Sequence, residues 1–114
     1  MAGKGSMPNV QLRGKTVTYT TAAPAISLNA GLVILDATAQ GVAATLGAGS
    51  DGQIIRIVAA VVSGGTTKVT AASGINGGTI VTFSNPYEYV TLRSDGTQWY
   101  VIKGGTALNA SVVS

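Results

Sequence analysis

The sequence contains no cysteine and no histidine, and charged residues make up only 10% of its 114 positions. The first absence removes disulfide staples, thiolate nucleophiles and thiolate metal ligands; the second removes imidazole ligands and the commonest general base. Aromatic residues amount to 5%. No apolar run approaches the roughly 20 residues of a membrane-spanning helix. The stretch from Ala22 to Leu35 is broken by Pro24, Asn29 and Gly31, and the run Ile57 to Val62 is far too short. No signal-peptide pattern opens the chain. These absences lead to the expectation of a soluble protein without an export address that is not an enzyme and carries no metal or cofactor.

Helical periodicity is missing too. Short runs rich in Val, Ile and Thr recur between Gly, Asn, Asp and Ser, which is the punctuation of an all-β module. The pattern predicts strands near 16 to 20, 25 to 29, 32 to 36, 42 to 46, 53 to 62, 67 to 71, 79 to 84, 88 to 94 and 97 to 103. A chain of this length holds one compact core. The division expected is a flexible basic arm over 1–15, an all-β domain over 16–104, and a tail or added strand over 105–114.

The net charge of +3 is not spread evenly. Lys4, Arg13 and Lys15 precede any carboxylate, while Arg56, Lys68, Arg93 and Lys103 balance Asp36, Asp51, Glu88 and Asp95. The body is neutral and the arm holds the excess. A neutral body without basic patches interleaved with aromatics argues against nucleic acid as a partner. An extended arm bearing three cations instead suits an acidic protein surface.

Asp95-Gly96 fits the positive φ angles of a two-residue type I′ turn. Taken literally, that turn sets Leu92 opposite Trp99, Val90 opposite Val101 and Glu88 opposite Lys103. One face then holds Val90, Leu92, Trp99 and Val101 as core or trimer packing. The other, with Tyr89, Thr91, Tyr100 and Ile102, is also substantially apolar. The run QIIRIVAAVV (53 to 62) is apolar on both faces except for Arg56, as in a strand between two layers or at a subunit junction. So small a chain cannot cover both faces of several strands. Neighbouring copies are the simplest cover, and a mean hydropathy high for a freely soluble monomer agrees.

Segments with chemical potential have plainer readings. Gly47-Ala48-Gly49-Ser50-Asp51-Gly52 matches G-x-G-x-x-G, but a dinucleotide site needs a helix after it, and the following run is strand-like. Of the four carboxylates, Asp51 and Asp95 precede glycine in turns, Glu88 faces Lys103 and Asp36 ends a strand, which leaves no paired acid and base. No calcium-loop spacing occurs. Tyr87, Tyr89 and Tyr100 are candidate exposed aromatic contacts for a sugar ring or a protein surface.

The stretch TIVTFSNPYEYVTLRSDGTQWYVIKGG resembles the closing strands of small trimeric β modules in tailed-bacteriophage virion proteins, in which a strand like VTL leads into a SDGTQWYVI hairpin. Upstream, GLVILDATAQGVAATLGAGSDGQIIRIV is similar to the earlier part of the same family, so the resemblance spans Leu32 to Lys103. It implies a β-sandwich or prism-like fold, a homotrimer and a place in the virion. Length favours a capsid decoration (cement) protein on the capsid surface, partnered by itself and the major capsid protein, with Lys4, Arg13 and Lys15 in a capsid-facing arm. The alternative is a receptor- or carbohydrate-binding module of a tail or head fibre. Two departures need a local explanation: Pro86 just before a strand, and Arg56 inside an apolar one.

Overall fold

A computed structural model describes residues 14–63 and 67–105. The fold is all-β, as expected, and no helix occurs among the described residues. Its strands are β1 (Lys15–Tyr19), β2 (Ala30–Asp36), β3 (Ala43–Thr45), β4 (Ile54–Val61), β5 (Lys68–Ile75), β6 (Gly78–Thr82), β7 (Glu88–Ser94) and β8 (Trp99–Gly105). They form one curled sheet, a half-barrel in the order β1-β2-β4-β7-β8-β5-β3, with β6 paired to β5. The curl divides the sheet into a five-stranded layer, β1-β2-β4-β7-β8, and a three-stranded layer, β3-β5-β6. Between them runs a single pairing, Ile75 with Trp99. The layers expected from the sequence are therefore two parts of one sheet.

The predicted strand at 25 to 29 does not form. Only Ala25 bridges to Thr45 of β3, and the chain then turns at Ser27, whose carbonyl accepts Ala30 N–H and whose hydroxyl accepts Asn29 N–H. The segment nonetheless has a structural role: Ala43 donates to the carbonyl of Ala22, Thr45 to that of Pro24, and Ile26 to that of Thr45. The chain leaving edge strand β1 thus lies along β3 at the opposite end of the strand order and helps to close the curl.

Strand alternation sends one set of side chains inward. Val33 of β2, Ile57 of β4 and Val90 of β7 form one cross-strand row, and Ile55 and Leu92 form another. Together with Leu35, Val69, Val81, Phe83 and Trp99 they are fully buried. Each such aliphatic side chain contributes about 1.5–3 kcal/mol by burial. The run 53 to 62 alternates after all. Ile55, Ile57 and Ala59 are buried, whereas Ile54 and Arg56 are exposed and Val58 is half-buried. Among the described residues, β4 is covered on one side.

The β7–β8 hairpin has a different register from the one the sequence suggested. Ser94 pairs with Trp99, Arg93 with Tyr100 and Leu92 with Val101, and after a bulge Thr91 pairs with Lys103. Asp95 does not adopt positive φ; Gly96 does, at 93°. The Asp95 carboxylate instead accepts the backbone N–H groups of Thr97 at 2.8 Å and Gln98 at 2.9 Å. This Asx-type closure moves the turn one residue along and slides the pairing by two as far as Leu92–Val101, which preserves the faces there while changing the partners; beyond the bulge the slip is three. Glu88 consequently has no lysine opposite it. The two-residue turn with both central φ angles positive lies elsewhere, at Asn76 (49°) and Gly77 (87°), joining β5 to β6.

Candidate functional site

Among the described residues, nothing covers the outer face of the five-stranded layer. Its cross-strand rows run Thr16–Leu32–Arg56–Thr91 and Thr18–Ile34–Val58–Tyr89, followed by Ile54–Arg93–Tyr100. Ile54 is 50% exposed, Ile102 53% and Tyr100 40%. Two shallow depressions meet on this face. Leu32, Arg56, Val58, Tyr89 and Thr91 line the first. The second shares Leu32 and Arg56 and extends past Ile54 to Gly14 and Gly31.

Arg56 is the charged centre of this apolar surface. Its Nε donates to Thr91 Oγ1 at 3.3 Å, and among the described residues no carboxylate pairs with it. Its place in an apolar strand is explained by orientation: it stands on the outward side, between the inward Ile55 and Ile57.

At one end of this face a turn runs from Asn85 to Glu88, closed by Glu88 N–H donating to Asn85 O. Pro86 takes the second position, which answers why a proline precedes β7. Tyr87 takes the third, at φ 68°, a region where glycine is usual and a bulky side chain is strained. Tyr87 is 68% exposed. Glu88 is buried, and its carboxylate accepts the N–H groups of Ser84 (2.7 Å) and Asn85 (3.2 Å) and the side-chain amide of Asn85 (3.3 Å). Tyr87 N–H donates to Ala59 O at 2.7 Å, tying the turn to β4.

A third depression, at the Asp95 turn, is lined by Asp51, Arg93, Ser94, Asp95, Tyr100 and Ile102. Tyr100 donates its hydroxyl to Asp95 Oδ2 at 3.0 Å. The backbone N–H groups of Gln98 and Thr97, and this hydroxyl, hold the Asp95 carboxyl below its ordinary pKa. The same bond raises the Tyr100 phenol. Asp36 is likewise lowered, by the hydroxyl and N–H of Thr38.

Of the residues singled out from sequence, Val90, Leu92 and Trp99 are fully buried inside the single chain, and Val101 packs partly buried against them. They are core, not an outer contact surface. Tyr87 and Tyr100 are exposed as expected, and Tyr89 is half-buried in the first depression. Lys15 is exposed but is the first residue of β1. Lys4, Arg13 and the tail from 106 to 114 lie outside the described residues. The glycine-rich segment 47 to 52 leads into β4 rather than a helix. Among the described residues no three metal-type side chains cluster. Sequence reasoning missed the depression around Arg56; its signal was the one charge in an otherwise apolar run.

No protein-family model, curated protein or solved structure matches the chain.

Proposed function

We propose that this chain is a bacteriophage virion structural protein, a capsid decoration protein that binds the assembled head as a homotrimer and stabilises it. The observation that carries the reading is the open outer face. Among the described residues, Ile54, Tyr100 and Ile102 are exposed on the same side of the main layer as Arg56, with which no described carboxylate pairs, while the other side holds the buried core. Contiguous exposed apolar surface of this kind marks an association site. The virion assignment rests on the VTL and SDGTQWYVI residues quoted above, since none of the comparisons bears on it.

The mechanism is additive binding. A trimer that touches several capsid subunits makes its second and third contacts at high effective concentration, so avidity exceeds any single contact. Binding only to the assembled shell then stabilises that shell by mass action. The partner is the major capsid protein, the location is the capsid surface after assembly in the host cytoplasm, and no catalysis is involved. Lys4, Arg13 and Lys15 supply attraction toward an acidic shell surface. The test is to add the purified protein to shells lacking it and to follow co-sedimentation and shell rupture on heating. Saturable binding with a higher rupture temperature supports the reading; shells that neither bind it nor gain stability refute it.

A second reading, a carbohydrate-binding module of a tail or head fibre, is favoured by the depression in which Tyr100 adjoins Asp51, Arg93 and Asp95. An aromatic face beside carboxylate acceptors and a guanidinium donor suits a sugar ring. Calorimetric titration with host-surface glycans distinguishes it: saturable heat lost in Tyr100→Ala supports this alternative.

A further inference from the structure

We propose that Tyr87 is a self-association anchor, seated in the Arg56 depression of a neighbouring copy. The inference rests on the trimer reading above and assigns residues to its contact.

The first observation is strain without local benefit. Tyr87 holds φ at 68° and is 68% exposed, so the conformation does not bury the side chain in its own core. Strained positions of this kind persist where the surroundings enforce them, and they cluster at functional contacts. The surroundings here do enforce it: Pro86 fixes the preceding φ, the buried Glu88 carboxylate binds three donors, and Tyr87 N–H is held by Ala59 O. A ring displayed on so constrained a turn loses little freedom on docking.

The second observation is a depression of complementary chemistry. Leu32, Val58 and Tyr89 provide apolar walls, and Arg56 provides a cation whose guanidinium is used by the described residues only through Nε. An aromatic face attracts a guanidinium, and a phenolic oxygen accepts its remaining N–H groups. Tyrosine matches both the walls and the charge. A second lysine or arginine side chain would be repelled, so Lys4 and Arg13 are poor matches to it.

The third is geometry. Tip and depression adjoin on one face, Tyr87 standing two residues from Tyr89 and bonded to Ala59 beside Val58; in the trimer each copy offers its anchor to one neighbour and its depression to the other. Such a head-to-tail contact closes into a ring at the right rotation. A rigid aromatic in a pocket is the usual form of an interface hot spot. Ile54 and Ile102, exposed on the same face, extend the contact around it.

The test is light scattering and sedimentation of the full chain at micromolar concentration, beside Tyr87→Gly, Tyr87→Asn and Arg56→Glu, with circular dichroism to confirm the fold. Glycine and asparagine both tolerate positive φ, so these variants keep the turn. The parent is expected to be trimeric, and each variant to dissociate at least about tenfold more readily while retaining a β spectrum. A monomeric parent overturns the trimer reading and this contact with it. A trimeric parent whose folded Tyr87 variants assemble equally well overturns the contact alone.

Discussion

Gly49 lies directly against the indole of Trp99: a Cβ at that position would fall 2.6 Å from the ring's Cζ2. The indole Nε1 donates to the Gly47 carbonyl at 3.0 Å, across 52 residues of sequence. Gly49 of the G-x-G-x-x-G segment is thus accounted for by one buried ring that needs backbone close by, whereas Gly47 contributes only the carbonyl that accepts the indole N–H, a Cβ there meeting nothing nearer than Leu28 at 3.8 Å. This contact joins the loop before β4 to the start of β8.

Gly49→Ala therefore forces the ring or the loop to move. The expected loss is about 1–3 kcal/mol, the usual cost of overpacking a filled core. Urea unfolding measures it, and a variant as stable as the parent would contradict the packing described.

Glu88 is a buried carboxylate with three donors. Glu88→Ala leaves the Ser84 and Asn85 N–H groups without their acceptor and is expected to cost about 1–3 kcal/mol. Glu88→Gln keeps one amide oxygen in the same place and should cost less. Equal losses in the two variants would show that the carboxylate oxygen is not what holds the turn.

The Asp95 carboxyl is held below its ordinary value of 3.8 by the Gln98 and Thr97 N–H groups, and Asp36 is lowered by Thr38. A group lowered on folding adds stability above its unfolded value and loses it as pH falls through the folded one. The melting temperature should accordingly decline below about pH 4, and less steeply in Asp95→Asn. Tyr100 behaves oppositely. Its phenol is raised above 10.0 by the bond to Asp95, so that contribution is present below this value and lost as pH rises through the folded one. Melting curves of the parent, Asp95→Asn and Tyr100→Phe across both limbs check the signs; an unchanged acid limb in Asp95→Asn would contradict the assignment.

How much of this was legible in the sequence follows from the range of each interaction. The strands were visible because β-branched runs and turn residues are local. The inward face of β7 and β8 was visible because a slip of two residues leaves a period-two pattern intact. The register was not, because Asp95 offered two local solutions: positive φ in a type I′ turn, or a carboxylate capping Thr97 and Gln98. Asn76-Gly77 carried the stronger turn signal and was not singled out. The strand at 25 to 29 failed on the turn that Ser27 and Asn29 make, yet the contacts of 22 to 26 with β3 arise from the curl of the whole sheet, which no local pattern encodes. Tyr87 was noted as an aromatic, but its strain appears only once Pro86, Glu88 and Ala59 are placed around it.

The arm proposal has its own test. Because β1 begins at Lys15, removal of residues 1–13 spares every described strand, and the truncated protein should keep the parent's molecular mass in multiples of the chain. Its affinity for shells should fall, and the remaining binding should depend less on salt. Binding unchanged in strength and salt dependence would assign no docking role to Lys4 and Arg13.

Imaging of purified particles that carry this chain tests the central claim most directly. The account predicts three-fold density on the outer surface of the head at repeated lattice positions, with the outer faces of the five-stranded layers turned toward one another. Density confined to the tail or to a fibre tip, with the head surface bare, would contradict it.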